Sequence, residues 1–248
     1  MYYLKITAVT AILFLFVSAS CDERKANNEQ VTPVEQLPPV ETQNPNTSLT
    51  PAFEGQTRIA GAKTETPYSI ETISTELDSP WAVTELPDGR FVITEKAGTI
   101  RIATKQGVLS EKITGFPEVD NRNQGGLLDV AHDPDFETSR MLYFSFAEKT
   151  AQGSLTAVGK GRLSDDEKTI ENFTTIYRAI PYFDNSMHFG SRLVFDKNGN
   201  IFVSTGERSS LQTRYNAQKL ETAHGKVIHI TPSGEPVPGN PFIDTPGA

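Results

Sequence analysis

Three stretches of this chain share one grammar, and repetition at their spacing leaves few folds open. Each runs from a small or polar lead-in into an apolar strand, an Asp-containing turn and a second apolar strand: Pro80–Gly89, Gln124–Asp135 and His188–Gly199. Their lead-ins begin about 45 and then 64 residues apart, near the roughly 40 to 50 residues of a four-stranded propeller blade with loop insertions. A fourth run, His224–Gly234, follows the third too soon for a blade of its own and reads as outer strands of the third unit. The fold class expected is all-β, a β-propeller of which about three blades are present. A β-sandwich of about nine strands is the other fold the pattern allows. Closed propellers have about 4 to 8 blades because closure protects the sheet edges. Three blades therefore read as the first half of a propeller, expected to aggregate or stay unstable alone.

The strands themselves are legible as short apolar or alternating runs between Pro, Asp, Asn and Gly. Candidates are 82–86, 91–95, 100–103, 127–132, 141–146, 157–163, 192–195, 201–205 and 226–230, with no amphipathic helix between them.

Ahead of the repeats lie two segments of different texture. Lys5 precedes an apolar run from Ile6 to Val17 that ends in Ser18-Ala19-Ser20, so residues 1–20 read as a signal peptide. The run is shorter than the roughly 20 residues a membrane span needs. Cys21, the only cysteine, follows directly. It resembles the lipidated cysteine of bacterial lipoproteins, although Ser18 stands where Leu is usual, and Asp22 resembles an inner-membrane retention signal. Residues 21–67 are rich in Asn, Gln, Glu, Thr and Pro and too poor in apolar residues to offset their ordering entropy. They read as a disordered tether. The expected location is exported, periplasmic or cell-envelope, with membrane contact through a lipid on Cys21 alone. The formal charge of -8 excludes the basic footprint that nucleic acid demands.

Within 68–248, the repeat places Gln124 and His188 at nearly equivalent points, each just before the first strand of its blade. Such loops line the mouth of a propeller's channel, where the two can face one another. A histidine there can take a proton near neutral pH, and a glutamine can orient a planar polar ligand through one acceptor and two donors. His132, His224 and His229 show no metal-ligand spacing, and Asp165-Asp166-Glu167 reads as a solvated turn. Cys21 lies outside the globular part and is no nucleophile candidate.

The strings are more specific than the spacing. Ser79-Pro80-Trp81-Ala82-Val83, Leu86-Pro87-Asp88-Gly89-Arg90, Thr94-Glu95-Lys96, Gln124-Gly125-Gly126-Leu127-Leu128-Asp129-Val130, Asp133-Pro134-Asp135-Phe136, His188-Phe189-Gly190 with Arg192-Leu193, Gly225-Lys226-Val227 and Asn240-Pro241-Phe242 occur in that order. Together they resemble the glucose/sorbosone dehydrogenases, aldose sugar dehydrogenases that use pyrroloquinoline quinone (PQQ), over about residues 68–248.

The resemblance implies a six-bladed propeller with PQQ across the top of the channel, a calcium ion assisting the quinone, and a histidine that removes the sugar C1 hydroxyl proton as hydride passes to the quinone and the lactone forms. It gives His188 the role of base and Gln124 that of a PQQ contact. In some members an acid precedes the histidine; here that residue is Met187. Arg192 also fits the pattern, although loop ordering accounts for it better. The family's Arg-Asn pair, further basic residues and calcium ligands would follow residue 248, so no metal ligand is assigned. The substrate implied is a small sugar, and the electron acceptor is not given. The competing function is a non-catalytic, surface-exposed propeller that binds glycan or protein, since fold alone never establishes chemistry.

Overall fold

The computed structural model describes residues 37–246. Residues 1–20, read above as a signal peptide, and Cys21 lie outside them. The chain divides into two compact units, residues 1–69 and 70–248. Of the first, residues 37–69 carry no strand or helix beyond an isolated bridge between Pro39 and Ala60.

The second unit holds three antiparallel sheets in chain order. Blade I contains β1 (Pro80–Glu85), β2 (Phe91–Glu95) and β3 (Thr99–Ala103). Blade II contains β4 (Leu127–His132), β5 (Met141–Thr150), β6 (Gly153–Leu163) and β7 (Ile170–Arg178). Blade III contains β8 (Gly190–Phe195), β9 (Ile201–Thr205) and β10 (Val227–Ile230), so the fourth apolar run is indeed the outer strand of the third sheet. A β-sandwich is thereby set aside. Among the described residues helix is confined to one turn at Phe136–Ser139, α1, and a 3-10 turn at Arg214–Gln218.

The side-chain alternation of a strand decides what each blade touches. In β5, Leu142, Phe144 and Phe146 face blade I and pack with Val92, Ile100, Ile102 and Ile113, while Tyr143 faces blade III and packs with Leu193, Ile201 and Val203. Blade II is thus covered on both faces, and the whole run from Leu142 to Ala147 is buried. Phe116 sits edge-on to Phe144 at 4.8 Å and to Phe173 at 5.8 Å, closing the contact between blades I and II. Blades I and III are covered on one face each. Val83 on β1 and Val194, Phe202 and Val227 in blade III remain exposed.

One hydroxyl in the second strand of each blade repeats a set of bonds along the inner strands. The first strands each carry a bulge, within Pro80–Val83, Leu127–Val130 and Gly190–Leu193, which leaves one N–H out of the ladder. In blade I the Ala82 N–H donates to Thr94 Oγ1 (3.0 Å), and that hydroxyl donates to the Leu128 carbonyl of blade II (2.6 Å). In blade II the Asp129 N–H donates to Ser145 Oγ (3.0 Å), which donates to the Ser191 carbonyl of blade III (2.6 Å). In blade III the Arg192 N–H donates to Ser204 Oγ (3.0 Å). Ala82, Asp129 and Arg192 are therefore equivalent positions.

This register aligns His188 with Gly125, and Gln124 with Met187, so Gln124 and His188 are nearly equivalent, offset by one residue. Arg192 lies in β8 and orders the inner strands rather than a loop: its Nη1 donates to the buried Asp129 carboxylate (2.7 Å), which also accepts the Leu193 N–H (2.6 Å). The Asp165–Glu167 turn is more than solvated. Glu167 accepts two bonds from Arg90 (2.7 and 2.8 Å), tying blade II to blade I.

Candidate active site

Antiparallel pairing brings the two ends of the β8–β9 hairpin together. Gly190 pairs with Thr205, and the same register carried two residues further sets His188 opposite Glu207. The close approach demands glycine: a Cβ on Gly206 would lie 2.0 Å from the His188 carbonyl oxygen. His188 itself takes a positive φ of 50°, which turns its side chain out of the strand direction.

His188 is held from two sides. Its backbone N–H donates to Gln124 Oε1 at 2.8 Å, and its Nδ1 lies 2.7 Å from Glu207 Oε1. A carboxylate only accepts, so in the neutral imidazole Nδ1 carries the proton and Nε2 the lone pair. The bond to His188 holds the Glu207 carboxyl below its usual range, against the opposing effect of burial, so Glu207 is ionised near neutral pH. The His188 side chain is 44% exposed, leaving Nε2 within reach of a ligand.

The loop that delivers Gln124 is braced against the one that delivers His188. Gln124 N–H donates to the Ser186 carbonyl (3.0 Å), and Asn123 Nδ2 to Ser186 Oγ (2.6 Å). Gln124 spends only its carbonyl oxygen on His188, so its amide N–H donors remain. A concavity of about 510 Å3 lined by Asp120, Arg122, Lys149, Gln152 and Asp184 opens on the neighbouring loops, and Gln124 and His188 are themselves exposed.

Sequence reasoning found His188 and Gln124, and the structure brings them together. It missed Glu207. With Met187 before the histidine, His188 lacked a supporting acid; the acid arrives across the hairpin instead. The remaining histidines each have their own partners. His224 is buried, which pushes its imidazole below the usual value, and it contacts the Pro181 carbonyl (2.9 Å) and Asn216 (3.2 Å). His229 stacks on Phe202 at 4.0 Å and meets Asp196 and Asn240, each at 3.0 Å. His132 Nδ1 lies 2.8 Å from the Asp133 carbonyl.

The amide N–H groups of Gln124 suit one edge of an acceptor-rich planar ligand, while the outer nitrogen of the His188 imidazole, an acceptor, suits a hydroxyl donor beside it. Among the described residues no group of three or more His, Cys, Asp or Glu side chains could hold a metal, and no calcium ligand is assigned.

Repeated propeller blades, with an acid-supported imidazole and an amide together at the heads of adjacent blades, define a class of β-propeller with its candidate site on the loop face. Within that class the chain belongs to the glucose/sorbosone dehydrogenase family, whose family model matches residues 77–248. It is 41% identical over 182 residues to aldose sugar dehydrogenase YliI of Escherichia coli K12, covering 73% of this chain and 48% of that one. Among solved structures it resembles the soluble aldose sugar dehydrogenase of Escherichia coli in its apo form, with TM-score 0.67, 40% identity and coverage of 72% of this chain and 51% of that one. It also resembles the PQQ-bound aldose sugar dehydrogenase of Streptomyces coelicolor, with TM-score 0.61, 29% identity and coverage of 72% and 51%. The chain thus spans about half the length of the relatives it matches.

Proposed function

We propose that this chain serves in the oxidation of aldose sugars at the C1 hydroxyl to lactones, with PQQ as the hydride acceptor. The observation that carries the reading is the His188–Glu207 pair: an exposed imidazole with Nδ1–H fixed on a carboxylate and Nε2 free, beside the Gln124 amide. Sugar oxidation by the family's relatives supports it.

In this reading His188 Nε2 accepts the proton of the sugar C1 hydroxyl. The imidazolium that results faces the Glu207 carboxylate, which offsets its charge. Gln124 fixes the His188 backbone through Oε1 and presents its N–H groups to one edge of the cofactor. A bound PQQ would supply the hydride acceptor, so that loss of H⁺ to His188 and of H⁻ to the quinone would leave the C1 carbonyl of the lactone. The exported, lipid-anchored location read from residues 1–21 belongs to the same proposal.

The test is reconstitution of the protein expressed from its gene with PQQ, followed by dye reduction with a panel of aldoses. A general base contributes about 10²- to 10⁴-fold, so His188→Ala is expected to lose at least about 100-fold in kcat. Full activity in His188→Ala sinks the assignment of the base. Saturable glycan binding with no turnover would replace it with the binding-module reading.

A further inference from the structure

Behind the candidate base lies a buried cation that the reaction above does not use. Arg208 follows Glu207 directly and is 1% exposed. Its guanidinium donates to the Ser154 carbonyl (2.5 Å), Ser154 Oγ (3.1 Å), the Met187 carbonyl (3.1 Å) and the Asn185 carbonyl. The plane lies 4.0 Å over the Phe189 ring. Its own backbone N–H donates to the His188 carbonyl at 3.3 Å.

Among the described residues no carboxylate is hydrogen-bonded to this guanidinium, and burial pushes it down to about 10. A buried charge without a partner carboxylate is costly, and a surface residue would have held a lone loop at less expense. What the cost secures is the backbone on both sides of Ser186, immediately ahead of His188. Two consecutive residues, Arg208 and Ser209, adopt positive φ of 68° and 49° to put the guanidinium there. Strained non-glycine backbone of this kind persists where the surroundings over-determine it and concentrates at working sites.

We infer that Arg208 is a positioning residue for His188: Glu207 fixes the imidazole ring, and Arg208 fixes the peptide that carries it, by clamping the Asn185 and Met187 carbonyls to the Ser154 edge of β6. The inference deepens the proposed role of His188 and rests on it. Lysine cannot take over, because one ammonium lacks the planar fork that reaches the acceptors on Ser154, Asn185 and Met187 together.

The test compares Arg208→Ala, Arg208→Lys and Leu163→Ala, the last a fully buried residue in the contact between blades I and II. The chain has four histidines, so long-range ¹H–¹⁵N spectra report the His188 tautomer without cofactor, assigned by its loss in His188→Gln. Arg208→Ala is expected to replace the single Nδ1–H pattern of His188 with a tautomer mixture. In PQQ-reconstituted protein kcat falls about 100-fold, the scale of an ångström-level misplacement, while KM stays within about threefold. Guanidinium ion added to Arg208→Ala is expected to restore the single tautomer and about tenfold of the kcat, and Arg208→Lys to lie between. Leu163→Ala lowers the melting temperature and moves neither the tautomer nor kcat.

An unchanged His188 spectrum in folded Arg208→Ala overturns the inference, as does a kcat loss in Leu163→Ala equal to that of Arg208→Ala. If Arg208→Ala does not fold, a wild-type spectrum and wild-type kcat in Arg208→Lys overturn it equally. If wild-type protein oxidises no sugar, the proposed function fails, while the tautomer readout still decides the role of Arg208.

Discussion

Removing the Glu207 carboxylate separates what its charge contributes from what its geometry contributes. The His188 Nδ1–H to Glu207 contact is 2.7 Å. A charge-assisted hydrogen bond of that length contributes about 1.5–3 kcal/mol when shielded. The His188 side chain is 44% exposed and that of Glu207 26%, so solvent screening holds the figure to about 1–1.5 kcal/mol. Most of that energy appears when the imidazole gains a proton and a cation faces the carboxylate. At about 1.4 kcal/mol per factor of ten, Glu207→Gln, whose amide oxygen can still accept Nδ1–H, should lose up to about tenfold in kcat. Glu207→Ala also frees the ring and its tautomer, for about another tenfold. The assay is dye reduction by PQQ-reconstituted protein across a range of sugar concentrations. KM should hold in both variants, because Glu207 touches the imidazole rather than the sugar. Wild-type kcat in Glu207→Ala, or a pure KM effect in both variants, refutes the reasoning.

Three further outcomes follow from the same structure. Glu167 is held below the usual carboxylate range by its bonds to Arg90, so it contributes stability above its unfolded value of about 4.5 that is lost as pH falls through the lower folded value; Glu167→Gln should cost about 1 kcal/mol at pH 7 in urea melts, and the cost should shrink as pH falls below the unfolded value. Asp129 is raised by burial, partly opposed by the Leu193 N–H and Arg192, so wild-type stability falls as pH rises from about 4 through the folded value. Asp129→Asn should accordingly gain on wild type with rising pH, whereas Asp129→Ala orphans the Leu193 N–H and costs about 1–3 kcal/mol. In cells fed labelled palmitate, wild-type protein should take up label and Cys21→Ser should take up none.

The architecture was largely legible because each feature had a local signal. Two-residue alternation located nine of the ten strands, and the spacing of the lead-ins located the blades. β7 escaped because Glu171, Asn172, Thr174 and Thr175 dilute its apolar residues: as the outer strand of its sheet it is half-buried, and Ile170 alone is fully covered. The inter-blade hydroxyls escaped for a different reason. Thr94, Ser145 and Ser204 are ordinary strand residues until the three runs are aligned on Ala82, Asp129 and Arg192, whereupon a hydroxyl recurs in every second strand. Glu207 was missed because a supporting acid was sought beside His188 in sequence, where Met187 stands. The turn Asp196–Asn200 and the strands around it fix a hairpin with one bulge, and its register is the signal that could have found Glu207.

That register also explains why blade III, and not blade II, carries the candidate base. Leu127 pairs with Phe146 as Gly190 pairs with Thr205, so Glu148 occupies in blade II the place that Glu207 occupies in blade III, and Gly125 the place of His188. Blade II therefore already has the acid. There it accepts two bonds from Arg178, each 2.7 Å, and one from the Tyr182 hydroxyl at 2.9 Å, binding β5 to the end of β7 and the loop after it. Gly125 cannot carry an imidazole in its place, since a Cβ there would lie 2.1 Å from the Asp120 carbonyl oxygen. In blade III the loop opens enough for a side chain at that position, and the acid turns from an arginine to a histidine. The same hairpin end is a structural staple in one blade and the proposed proton-handling pair in the next, and the difference rests on one residue at the lead-in together with the proposed Arg208 clamp behind it.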